Sequence, residues 1–464
     1  MRRLLVAVAT TLALGLPLSL VAATTSPAQA AEPRPTETIY EAAEAAPVCL
    51  DGICVHYAQD GTNDVPAEDD GGAGAWKGYA GNGIPDYVDL MSAVLVPKAA
   101  DTFAAAGYRS PVGDGVLGGG SDQVDIYLAD LDDVAGGAHC VQDEPAAGPT
   151  SGFCVLDNDY SPAEYGTRLS RAANAGLDAV HQYFLLVQWA YSGTNSWLNS
   201  ASAAWAEDEI YPTLNRNRAV LPYGPMGSPR KGFASELAPR ARAEGTWIFL
   251  RFLSERYRAE VGGLPVVLRH IWEHTTDPGA AGPVEDTGLR QMNGALTGAL
   301  AEHGTTLTNE FTRFAFWNRD PARFYREGAT YQAAAPATTT RLSRASRSKV
   351  FSPAALETLS SKTHRFTRGS GFRGAWRLKI AAGLINELAT LDLSLVTRVK
   401  VKGRAPTVTI LGTASHELRR TVTLPFSASV EWVEVTFVSG QLRAIPATPW
   451  PQVPTATLRV AAVR

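Results

Sequence analysis

The residues with the spacing of an active site lie in 178–211, DAVHQYFLLVQWAYSGTNSWLNSASAAWAEDEIY. In an H-E-x-x-H helix, positions i and i+4 share a face, so two imidazoles can hold one zinc ion. The Glu beside the first His activates a metal-bound water. Here the same five positions read His181-Gln182-Tyr183-Phe184-Leu185. Gln182 has no ionisable group and cannot act as a general base. Leu185 offers no lone pair. One imidazole, His181, is left of that chemistry.

Around this stretch the chain resembles a family of large secreted bacterial zinc metalloproteases of the zincin type. Those proteins carry H-E-[FY]-F-H, then W-x-x-E-G-x-A-x-W-x-E-D on the following helix. Trp197, Ala203, Trp205, Glu207 and Asp208 match that second helix. NGIPDYVD at 82–89, VDIYLADL at 124–131, CVLDNDY at 154–160, WIFLRFLSER at 247–256 and FTRFAFWNR at 311–319 are similar to family segments, so the resemblance covers most of the mature chain. It implies a zincin-like fold with a degenerate active site. His181 matches the first zinc ligand, Gln182 replaces the general base, Leu185 the second His, and Ser200 the ligand Glu. Glu207 and Asp208 lie seven and eight residues past Ser200, roughly 10–12 Å further along the helix, too far to replace a ligand. His181 is then expected to be a satisfied, partly buried histidine.

Two other constellations compete. His270-Ile271-Trp272-Glu273-His274 is an H-x-x-E-H motif, the sequence's one His pair at i, i+4. Zinc binding there needs a downstream carboxylate, with Glu302 and Glu310 the nearest candidates; the other reading is an amphipathic helix end. Asn82, Asp86 and Asp89, with an upstream Asp, have oxygen ligands suited to calcium. The alternative is a solvated acidic loop before a helix. Asp157 and Asp159 are expected to brace the central helices. No G-x-S-x-G elbow appears.

The elements that would position these groups follow from period and punctuation. Leu177, Val180, Phe184, Val187 and Tyr191 recur at helical spacing, and a turn at 192–196 leads to a second helix. A helix is expected over 86–106, kinked at Pro97. Alternation over 122–131, and a short run at 153–156, read as strands. Helices are expected over 238–257, 264–274, 289–303 and 307–319. After an Ala/Thr/Ser/Arg linker at 333–348 the period becomes two. Trp376/Leu378/Ile380, Val399/Val401, 407–410 and 433–437 argue for a small β-sandwich over 349–445. A Pro-rich, extended tail follows at 446–464. The fold class is thus α+β: a helix-rich metallopeptidase-like domain over 48–332, then the sandwich.

Residues 1–30 have the form of a secretory signal: Arg2 and Arg3, an apolar run, and Ala28-Gln29-Ala30 for cleavage. A flexible lead-in, 31–47, follows. Four cysteines suit an oxidising compartment. They allow three pairings, of which the local one, Cys49–Cys54 and Cys140–Cys154, is expected; the second loop contributes about 3 kcal/mol. The net charge of −4 gives no basic footprint for nucleic acid. No later segment has the length of a membrane span. The combined expectation is a secreted metallopeptidase-like protein without zinc chemistry, binding an extracellular protein or cell-envelope component, away from the membrane once the signal is cleaved. No cofactor is expected, calcium apart. An active zinc metallopeptidase using His270 and His274 is the alternative.

Overall fold

The computed structural model describes residues 40–464 except 41–42, 73, 75, 116, 132–136, 145–147, 195–196, 234–238, 277–286, 386–390, 416 and 443–453. The signal-like segment lies outside the described residues. The lead-in differs from expectation at its end. Tyr40 donates its hydroxyl to the Leu128 carbonyl at 2.8 Å, and Glu44 pairs with His56, so Tyr40 and Glu44 are tied to the first sheet.

That sheet has the order β1-β2-β3-β5-β4, from Val48–Leu50, Ile53–His56, Val124–Ala129, His139–Gln142 and Gly152–Asp157 (β1 to β5 in chain order). β2, β3 and β5 are parallel; the outer strands pair antiparallel. The antiparallel edges explain the cysteines. Cys49 faces Cys54 across β1–β2 and Cys140 faces Cys154 across β4–β5, and both pairs are disulfides.

Helix α1, Asp86–Ala93, runs into a π-helical segment, Val94–Ala100, before helix again at Asp101–Ala105. Pro97 sits inside the π segment, where its missing N–H breaks the regular ladder. The helical body continues through α2 (Arg171–Trp189), α3 (Trp197–Ile210), α4 (Pro239–Gly245), α5 (Trp247–Arg256), α6 (Val266–Glu273), α7 (Thr287–Glu302) and α8 (Leu307–Trp317). Its core holds Phe184, Trp205, Trp247 and Trp272, all fully buried. Buried indole N–H groups need acceptors; Trp205 donates to Ser254 and Trp247 to the Asn217 carbonyl, both at 3.0 Å.

The C-terminal region is two antiparallel-dominated sheets over a shared core that includes Phe366, Leu378, Ile380, Leu395, Val435 and Leu458. After the short pair β6 (Glu260–Val261) and β7 (Leu264–Pro265) in the helical body, the strands are β8 (Thr338–Leu342), β9 (Ser348–Ala355), β10 (Ser360–Arg368), β11 (Arg377–Ile385), β12 (Leu391–Val401), β13 (Thr407–Ala414), β14 (Glu417–Pro425), β15 (Val430–Leu442) and β16 (Thr455–Val463). One sheet has the order β13-β12-β15-β10-β8 and the other β14-β11-β16-β9. Its bounds are wider than the 349–445 read from the sequence. Thr338–Leu342, inside the expected linker, is strand β8 and pairs parallel with β10, Ser360–Arg368. Thr455–Val463, inside the expected tail, is strand β16, paired on both sides by β9 (Ser348–Ala355) and β11 (Arg377–Ile385). Leu458, Val460 and Ala462 supply its inward face, so burial of an alternating strand outweighs the Pro-rich approach.

Candidate functional site

Helix α2 starts at Ser170, whose hydroxyl accepts the Ala173 N–H. Asp159 braces that start, pairing with Arg171 at 3.1 Å. The helix is buried on almost every side, so its polar residues must find partners inside protein. Helix α3 supplies them by running antiparallel. Gln188 donates its amide to the Asn199 carbonyl at 3.2 Å. One helical stretch away, His181 Nδ1 meets Glu207 Oε1 at 2.6 Å.

Glu207 is thus the partner that satisfies His181. Its distance along the helix from Ser200 excludes it as a substitute ligand, but not as a partner for His181 across the helix pair. A carboxylate on the far nitrogen is the contact that orients a metal-bound imidazole. The same carboxylate accepts from Arg216 Nε at 3.1 Å and from its terminal nitrogen at 3.0 Å. Arg216, from the short helix Arg216–Val220 after α3, also pairs with Asp178 at 2.6 Å. Burial pushes the Glu207 carboxyl up, but Arg216 and His181 hold it down to about 2. Burial likewise opposes the Arg216 charge, and Asp178 and Glu207 raise its pKa above the ordinary guanidinium value. Glu207 is thus a fixed anion at neutral pH, too acidic for general acid–base work.

These groups border a cleft of about 260 Å³, with Tyr165 and Gln182 on its wall. Gln182 donates its amide to the Ala138 carbonyl at 2.9 Å, so its side chain is spent on the wall. Leu185 and Ser200 do not border the cleft. The lining does not fit a zinc ion: it offers one imidazole, and its carboxylates, Asp178, Glu207 and Glu244, are engaged by Arg216, His181 and Arg240. No hydrolytic step follows from this geometry. Arg216 escapes sequence reading because it lies in a turn beyond both helices, where no period or motif marks it.

The structure brings His270 and His274 onto one carboxylate. His270 Nδ1 is 2.5 Å from one Glu302 oxygen and His274 Nε2 is 2.8 Å from the other. Slight burial would raise the Glu302 carboxyl, but its two imidazole partners hold it below the usual range. Glu310 does not join them; it is buried with Arg256 and Arg313. Glu273 turns to Arg269 at 3.6 Å, and an Arg269 nitrogen lies 3.4 Å from His270 Nε2.

The expected calcium ligands are acceptors within their own loop. Asp86 takes the Asp70 and Gly71 N–H groups, and Asp89 takes the Tyr79 N–H and the Asn82 amide. Asn82 in turn accepts the Ile84 N–H. Carboxylates serving as turn caps explain the acidic composition of 60–89 without an ion.

No family model matches the chain, and no curated protein matches it. Among solved structures, a Cry1Da tryptic core variant from Bacillus thuringiensis aligns at 11% identity and TM-score 0.16, over 27% of this chain and 25% of that one. The insecticidal delta-endotoxin Cry8Ea1, also from Bacillus thuringiensis, aligns at 9% identity and TM-score 0.14, over 24% and 20%. This chain spans a quarter or less of those chains, and overlaps so weak carry no argument about its fold or function.

Proposed function

We propose that this chain is a secreted, metallopeptidase-like protein that has lost its zinc chemistry and acts by binding an extracellular or cell-envelope component. The carrying observation is the cluster His181–Glu207–Arg216–Asp178. It keeps the carboxylate that orients the first zinc imidazole but surrounds it with a guanidinium instead of further ligands. Secretion is supported by the signal-like residues 1–30 and by two disulfides. Among the described residues no helix is long and apolar enough to cross a membrane. The test is metal analysis of the purified chain with a peptide-hydrolysis assay. Absence of stoichiometric zinc and of chelator-sensitive hydrolysis is expected; one tightly bound zinc per chain with hydrolysis abolished by chelator overturns the reading.

A second reading rests on Glu302 reaching both His270 and His274, which gives a zinc metallopeptidase its two imidazoles and one carboxylate. Under it, His270→Ala removes metal and activity together; an unchanged metal content ends it.

A further inference from the structure

The overall charge of −4 hides a division. Counting side chains, residues 338–464 carry 19 Lys and Arg against 6 Asp and Glu, a net of +13, which leaves 23 against 40, a net of −17, for residues 1–337. The sheet β14-β11-β16-β9 concentrates part of that excess on one face. Alternate residues of a strand point to opposite faces. On β11, Leu378 and Ile380 are buried in the core, so Arg377 and Lys379 point outward, and both are exposed. On β16, Leu458 and Val460 are buried, so Arg459 and Ala461 point outward. The register sets Lys379 beside Ala461, Arg459 beside Ala381, and Arg377 beside Val463. Cations therefore stand about 7 Å apart along β11, over a floor of small apolar side chains. At the same end of the sheet, Arg344, Arg347 and Arg464 surround a cleft of about 600 Å³ floored by Trp376, Ala461 and Val463. Among the described residues, none of Arg344, Arg347, Arg377, Lys379 or Arg459 pairs with a carboxylate; Arg377 donates to the Thr423 carbonyl.

We infer that this outer face binds a linear anionic polysaccharide, through phosphate or carboxylate groups repeated along the polymer. The acid on the strands of this face, Glu417 of β14, is already paired with Arg419; like charges gathered in such excess on one face attract a polyanion and release its counterions. Guanidinium groups suit both acids, which they grip in a bidentate fork. A flat face with Trp376 buried rather than exposed lacks the row of stacking rings that single-stranded nucleic acid needs. This names a partner class for the binding role proposed above and rests on it, but the two fail separately: zinc and hydrolysis report on the cleft at His181, polymer titration on the sandwich.

The full chain is titrated with polygalacturonate, with inorganic polyphosphate and with neutral dextran, at 50 and 500 mM NaCl. Binding to polygalacturonate, weakened at least tenfold by salt and absent with dextran, is expected; added binding to polyphosphate shows that the face grips phosphate as well as carboxylate. Lys379→Glu with Arg459→Glu should weaken binding at least tenfold. Lys402→Glu with Arg404→Glu, the same change in net charge in the turn between β12 and β13, should leave it within threefold. Unchanged melting temperatures establish that both variants fold. No binding to polygalacturonate at low salt, whether or not polyphosphate binds, equal losses from the two variants, or tighter binding to single-stranded DNA than to polygalacturonate overturns the inference.

Discussion

Glu207 and Glu434 are both buried carboxylates wrapped by arginines, yet one borders a cleft and the other joins two halves of the molecule. Glu434, on strand β15 (Val430–Leu442), has no exposed side-chain surface and holds three guanidinium groups: Arg398 at 3.1 Å, Arg365 at 2.7 Å, and Arg319. Arg319 follows helix α8, so this cluster fastens the helical body to the sandwich. Burial would raise the Glu434 carboxyl, but the three arginines hold it below its ordinary value. Glu207 has one arginine, shared with Asp178, and one imidazole, and its cluster faces a cavity. The Glu434 network has the form of a strut. The Glu207 network instead joins two helices beside an open cleft.

The largest expected effect separates the two. Glu434→Ala strands the nearly unexposed Arg319 guanidinium and leaves the buried Arg398 only Asp320 at 3.6 Å, and should cost about 3–5 kcal/mol in urea denaturation. Glu207→Gln keeps a hydrogen-bond acceptor for His181 and leaves Asp178 to Arg216, so its loss should be nearer 2 kcal/mol. A reversed order would mean that the cleft cluster is the main structural fastening.

Acid and base should sharpen the comparison. The Glu207 carboxyl falls from 4.5 to about 2 on folding, so its contribution is complete above pH 4.5 and is lost as pH falls towards 2. His56 behaves oppositely. Burial lowers its pKa, but Asp125 and Glu44 prevail and carry it from 6.5 to about 9. Its contribution is complete below pH 6.5 and is lost as pH rises through 9. A plateau of melting temperature between pH 4.5 and 6.5 is expected, and Glu207→Gln should flatten only the acid limb. The smallest effect belongs to His270→Ala, about 1 kcal/mol or less, since the Glu302 pair is substantially exposed.

The helices were legible because their apolar spacing is strong: Leu177, Val180, Phe184, Val187 and Tyr191 are all buried as the period requires. The cysteine pairs were legible because each falls within one turn-rich segment. Strand β8 was not, since Leu342 is its one buried residue and the rest is Thr and Arg. Strand β16 was masked by the prolines that precede it. At the site, local spacing picked out His181 and Gln182, both of which border the cleft. It could not give the antiparallel crossing that brings Glu207 to His181, nor the turn that delivers Arg216, because both depend on contacts across elements. Glu302 reaching both His270 and His274 was among the contacts the motif called for, and its arrival there depends on the packing of α7 against α6.

The most direct measurement is zinc stoichiometry in the native chain and in a triple variant, Gln182→Glu with Leu185→His and Ser200→Glu. If the frame is intact and only its ligands are lost, the native chain binds no stoichiometric zinc and the variant binds one ion per chain. One zinc per native chain, removed by His181→Ala, would contradict the loss of the site; a folded triple variant that binds none would contradict the frame itself.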